Sequence, residues 1–170
     1  TERVTVTGGA AGVGEAEAGL VAGESYTVQQ LLEAMLVRSG NDAAFALAEH
    51  VAGDESAFVA LMNQKAVELG LSHTAFTNPH GLDEDGHHTS AADLATLSTV
   101  AMADPRFAAI VSMPRVSVTA GGRTTTFDNS NKLLGTYEGA TGIKTGWTND
   151  AGYCLVASAH RGSISFIAVV

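Results

Sequence analysis

The chain has 170 residues, enough for one ordinary domain and short for two. Hydrophobic residues make up 45% and charged residues 16%, which supports a sizeable buried core and excludes a disordered chain. Nine Lys and Arg against 18 Asp and Glu leave a net charge of −9, which argues against a nucleic-acid binder, because phosphates call for a basic face.

Residues 3–7, Arg-Val-Thr-Val-Thr, alternate like a short strand, and the Gly-, Ala- and Glu-rich residues 8–24 read as loop. Thr27-Val28-Gln29-Gln30 fits a capping box. The helix it opens carries Leu31, Leu32, Met35 and Leu36 and is expected to stop near Arg38, ahead of the breaker cluster Ser39-Gly40-Asn41. Two further helices are expected, over about 42–52 and about 55–69 with Asp54 as cap. Residues 71–89 form a long loop, Ser90 opens a fourth helix, and Pro105 suits the first position of a fifth. Residues 115–119 and 123–127 read as a hairpin, followed by three strands over 141–148, 152–159 and 163–170. Helices first and strands last predict an α+β fold with helices packed on an antiparallel sheet. The helical part covers about 27–112 and the sheet part about 115–170 of one domain, 1–170.

The chain opens on Thr1-Glu2-Arg3 without an initiator Met or a signal peptide, and ends inside an apolar strand at Val170. Both ends are therefore expected to be cut. No apolar run approaches the length of a membrane-spanning helix. The single Cys154 excludes an intrachain disulfide and a cysteine-built zinc site, and is expected to be a buried, inert thiol.

Two motifs carry chemistry. Ser39-Gly40-Asn41 lies between two helices, and Lys144-Thr145-Gly146 lies on a predicted strand. Each is weak alone, since Ser-Gly-Asn is a common helix-ending turn and Lys-Thr-Gly could be an exposed edge strand. His80, Asp83, Glu84, Asp85, His87 and His88 crowd one loop, but they match neither an EF-hand nor His-Glu-x-x-His, and the loop reads as exposed and polar. Gly12-Val13-Gly14 lacks the third glycine of a dinucleotide site.

Taken together, Arg38–Ala44, Thr77-Asn-Pro-His-Gly-Leu82, Gly142-Ile-Lys-Thr-Gly-Trp-Thr148 and Ala151–Ser158 resemble the serine-type D-alanyl-D-alanine carboxypeptidases, the low-molecular-weight penicillin-binding proteins. The resemblance covers almost the whole chain. It implies the transpeptidase fold shared with serine β-lactamases, built around three elements: Ser-x-x-Lys, Ser-x-Asn and Lys-Thr-Gly. Ser39 would be a proton-transfer hydroxyl, and Asn41 an amide holding the substrate's peptide group. Lys144 would supply positive potential, and Thr145 a hydroxyl for the terminal carboxylate. Gly146 would let the substrate backbone lie close, Trp147 would offer a backbone N–H to the oxyanion from the rim of the cleft, and Thr148 completes the motif. No metal or organic cofactor is implied. The implied partners are peptidoglycan stem peptides and β-lactams, at an extracytoplasmic location with any membrane anchor outside this chain.

The nucleophile motif itself is missing. The residues three before Lys65, Lys132 and Lys144 are Met62, Asn129 and Thr141, none of them Ser. The resemblance places Ser-x-x-Lys ahead of Thr1, so the chain is expected to be the central portion of a larger domain. A non-catalytic penicillin-binding-like module that binds peptidoglycan peptides or a protein is the alternative, with a serine β-lactamase or esterase third.

Overall fold

Buried backbone amides dictate how the first quarter of the chain is pinned down. A computed structural model describes residues 2–170. Strands β1 (Arg3–Thr5) and β2 (Ser25–Thr27) pair antiparallel, with Val4 opposite Tyr26. The second of these is not legible in the sequence, because one buried aromatic in three residues makes no alternation. The long segment between them holds only a short 3₁₀ turn, Ala10–Gly12, and is fastened by side chains from elsewhere. The carboxylate of Asp42, 1% exposed, accepts the N–H groups of Ala18 and Leu20, both at 2.9 Å.

Helix α1 (Val28–Glu33) starts at the predicted capping box, in which Thr27 Oγ1 accepts from the Gln30 N–H and Gln30 Oε1 accepts from the Thr27 N–H. The helix expected to run unbroken to Arg38 instead widens into a π-helical turn, Ala34–Arg38. Helix α2 (Asn41–Ala52) runs through the interior, and its buried Ala43, Ala46 and Ala48 let neighbouring elements approach closely. Helices α3 (Glu55–Glu68), α4 (Ala91–Met102) and α5 (Pro105–Val111) begin at Asp54, Ser90 and Asp104, whose side-chain oxygens each accept a first-turn N–H. No single helix among the described residues is long and apolar enough to cross a membrane.

Strands β3 (Arg115–Ala120) and β4 (Arg123–Asp128) form the predicted hairpin. Its inward residues Val116, Val118 and Phe127 join Leu31, Val37, Leu47 and Ile110 in the main core. Strands β5 (Ala140–Thr148), β6 (Gly152–Arg161) and β7 (Ile164–Val169) make a three-stranded antiparallel sheet in that order, so β5 is an edge strand. Helix α5 packs on β5, and α4 packs on β6 and β7. The approach at Gly142 is so close that a Cβ there would lie 2.9 Å from Val111 Cγ2, at a φ of +141° that side chains rarely adopt. Tyr153, Ile164 and Phe166 are exposed on the sheet, Tyr153 by 90%.

Asp42 should therefore matter to stability well beyond its own helix. Replacing it by Ala would leave the Ala18 and Leu20 amides buried and unpaired, at an expected loss of roughly 2–5 kcal/mol. Urea denaturation of the Asp42→Ala protein checks this, and an unchanged midpoint would contradict it.

Candidate active site

Ser39 stands where the π-helical turn hands over to α2. It adopts the left-handed conformation (φ 68°, ψ 38°), which is uncommon for a residue with a side chain. The turn maintains it: the Ala34 carbonyl accepts the N–H groups of both Ser39 and Gly40. A Cβ on Gly40 would lie 2.8 Å from Asp42 Oδ1 and 3.0 Å from Ala18 Cβ, so the pinned loop packs against a position only glycine fits. Ser-Gly-Asn is thus a helix-ending turn, as its local sequence suggests. The strained serine at its head is also the kind of residue that tertiary structure holds in place at functional sites.

Lys144 arrives from β5, 105 residues further on, and its Nζ donates to Ser39 Oγ at 2.8 Å. A second bond goes to the Thr145 carbonyl at 2.7 Å. Among the described residues no carboxylate forms an ion pair with Lys144. Burial alone pushes its ammonium down from 10.5 to about 8. The seam between the helical half and the sheet therefore holds a desolvated amine against a serine hydroxyl.

The remaining predicted residues lie around this pair in different ways. Thr145 lies beside Lys144 on β5, and its hydroxyl is 2.6 Å from that of Ser130. Gly146 and Trp147 follow on the same strand and are exposed, with Trp147 57% exposed and its ring 6.3 Å from that of Tyr153. Asn41 is buried at the start of α2, where its Nδ2 donates to the Gly14 carbonyl at 3.1 Å and its backbone N–H to the Ala16 carbonyl at 2.7 Å. Thr148 is turned to local use, since its hydroxyl accepts the Ala151 N–H and closes the β5–β6 turn.

Cys154 departs from expectation. It is exposed, because β6 sets it across from Gly146, which offers no side chain to cover it. Tyr137 is exposed, with the Arg161 guanidinium 4.8 Å from its ring centre. The histidine-rich loop is organised by Asn78, which donates to the Leu82 carbonyl and to Glu84 and accepts the Gly81 N–H. That hydrogen bond from Asn78 is the main cause holding the Glu84 carboxyl below its usual range, while burial lowers His80 and His87. Two residues of the site escape the sequence reading, Asp42 and Ser130. The only local signal for the second is the polar run Asn129-Ser130-Asn131 just after the hairpin.

Solved DD-peptidases share this arrangement of helices and antiparallel strands, so the chain has the penicillin-binding protein fold. The crystal structure of a Streptomyces DD-transpeptidase superposes with a TM-score of 0.93 and 31% identity, over 99% of this chain and 71% of that one. A penicillin-binding protein homologue from Mycobacterium tuberculosis gives a TM-score of 0.94 and 37% identity, over 100% of this chain and 65% of that one. The chain belongs to the D-alanyl-D-alanine carboxypeptidase family, which matches it over residues 1–170. The D-alanyl-D-alanine carboxypeptidase DacF of Bacillus subtilis is 38% identical over 174 residues, covering 100% of this chain and 44% of the relative. With coverage of 44–50% in the first curated relatives, the chain spans about half their length.

Lys144 has a measurable signature. A carbon-13 NMR titration of its side chain should show a midpoint near 8, and a midpoint near 10.5 would mean that the ammonium is solvated. The unfolded chain keeps this proton up to about pH 10.5 and the folded one releases it near 8. The unfolded state thus binds more protons in between, so this residue should make stability rise with pH across that window.

Proposed function

We propose that this chain carries two of the three elements of a serine D,D-carboxypeptidase site, and that a Ser-x-x-Lys from polypeptide outside residues 1–170 supplies the nucleophile. The observation that carries this reading is the 2.8 Å contact between the amine of the half-buried Lys144 and the Ser39 hydroxyl. A lysine that pairs with no carboxylate among the described residues and lies against a hydroxyl is poorly explained as a stabilising surface charge. It is well explained as a tuned cation in a cleft.

The chemistry follows from what cleavage of a terminal D-Ala requires. The nucleophilic serine oxygen adds to the carbonyl carbon of the penultimate D-Ala. The C–N bond to the terminal D-Ala breaks, and its nitrogen takes a proton. Water then cleaves the serine ester, releasing the shortened stem peptide and restoring the serine. Ser39 can pass a proton to the departing amine, because its own oxygen is held by a Lys144 donor that is mostly protonated at neutral pH. The same ammonium supplies positive potential for the substrate's carboxylate, with Thr145 adding a hydroxyl donor.

The free edge of β5 lets an extended peptide lie beside Gly146, which has no Cβ to hold it away. The backbone N–H of Trp147 would face the oxyanion, and Asn41 would hold the substrate amide. Thr148 belongs to this group by closing the β5–β6 turn next to Trp147. The substrates are peptidoglycan stem peptides and the inhibitors β-lactams. The place of action is outside the cytoplasm, with any membrane attachment made by polypeptide beyond this chain.

Incubating the natural full-length protein with penicillin, followed by peptide mapping, tests this directly. The adduct should fall on a serine outside residues 1–170, and Lys144→Ala should slow acylation by about 10²–10³-fold. Failure to form any adduct, together with failure to release D-Ala from a pentapeptide, would overturn the enzyme reading in favour of a non-catalytic binding module. An adduct on Ser39 would overturn the assigned roles.

A further inference from the structure

Ser130 belongs neither to the Lys-Thr-Gly strand nor to the turn that ends in Ser39, yet it is hydrogen-bonded to both. Its hydroxyl lies 2.6 Å from Thr145 Oγ1, and its backbone N–H donates to the Val37 carbonyl at 3.4 Å. The residues on either side fix its backbone. Asn129 donates from Nδ2 to the Met113 and Val111 carbonyls and accepts the Asn131 N–H, and Asn131 accepts the Leu133 N–H. Both asparagines are buried, at 5% and 2% exposure. The half-buried serine between them is thus presented to Thr145 by a rigid polar turn.

Two hydroxyls in contact share one proton between them, and which one donates decides what the other can do. If Thr145 donates to Ser130, its only proton is used and it offers an incoming anion nothing but lone pairs. If Ser130 donates to Thr145, the Thr145 proton is free to point into the cleft. A carboxylate beside Lys144 selects the second arrangement, and the chain Ser130 to Thr145 to carboxylate then strengthens each of its links.

We propose that Ser130 is a positioning residue that donates to Thr145 Oγ1 and so aims the Thr145 hydroxyl at a free C-terminal carboxylate, making the pair a determinant of selectivity for substrates that end in a charged carboxylate. This rests on the function proposed above. A serine that served packing alone would affect charged and uncharged substrates alike.

The test compares acylation of the natural full-length protein by a penicillin and by the methyl ester of the same penicillin. Ser130→Ala should lower the rate constant for the free acid by about five- to tenfold, the size of one lost hydrogen bond between neutral groups, and leave that for the ester within about twofold. Ser130→Thr should restore the preference for the acid, and the similarly sized but weakly donating Ser130→Cys should not. Adding Ser130→Ala to Thr145→Ala should cost nothing further, because the serine acts through the threonine. Equal losses on acid and ester, additive losses in the double variant, or full wild-type selectivity in Ser130→Cys would each overturn the Ser130 assignment alone. If the Ala variant fails to fold, the Cys variant still distinguishes a positioning serine from a packing one. A wild-type protein inert to the free penicillin would overturn the function proposed above and this assignment with it.

Discussion

The contact between Lys144 and Ser39 is the point on which the arrangement of the molecule converges. An ammonium removed from water is costly to hold without an opposite charge. Here two oxygen acceptors, the Ser39 hydroxyl and the Thr145 carbonyl, replace its hydration. The proton becomes correspondingly easier to lose. Such a contact can exist only if the turn after the π-helical segment and the edge strand β5 are brought together and kept there. The left-handed serine, the glycine against which Ala18 packs, and the close approach of Val111 to Gly142 are the local means of doing so.

Support for this seam comes from buried carboxylates and amides rather than from apolar side chains alone. Asp42 ties the 16–20 segment to the start of α2, just after Ser39 in sequence. Asn129 ties the segment after the hairpin to the end of α5. Each joins an irregular stretch to a regular element by satisfying backbone groups that would otherwise be buried without partners. The main core lies between α1, α2, α5 and the β3–β4 hairpin and includes Ala34 and Val37 of the turn that leads into Ser39.

Much of the secondary structure is readable because its signals are local. Thr27 with Gln30, Asp54 and Ser90 announce helix starts through the hydrogen bonds their own side chains make a few residues on, and Pro105 announces another through its preset φ. Ala-Gly-Gly between two β-rich runs announces the hairpin. The features that escape are of another kind. Strand β2 is too short for alternation to register, and the π-helical turn at Ala34–Arg38 has an ordinary helical composition. Cys154 departs from its expected burial because exposure of a strand residue depends on what lies across from it, and here that is a glycine. Thr148 groups with the site by its neighbours in sequence, while its hydroxyl closes the adjoining turn.

By itself, the sequence determined that the chain is α+β and which helices begin where, and its resemblance to the carboxypeptidases singled out the Ser-Gly-Asn turn and the Lys-Thr-Gly strand as candidate site segments. The first two follow from periodicity and capping, which act within a few residues. The tertiary structure alone decided that Ser39 and Lys144 touch, that burial detunes the lysine, and that Ser130 meets Thr145. Those facts depend on contacts between segments 15 to 105 residues apart and on the exclusion of water from between them, which no local pattern encodes.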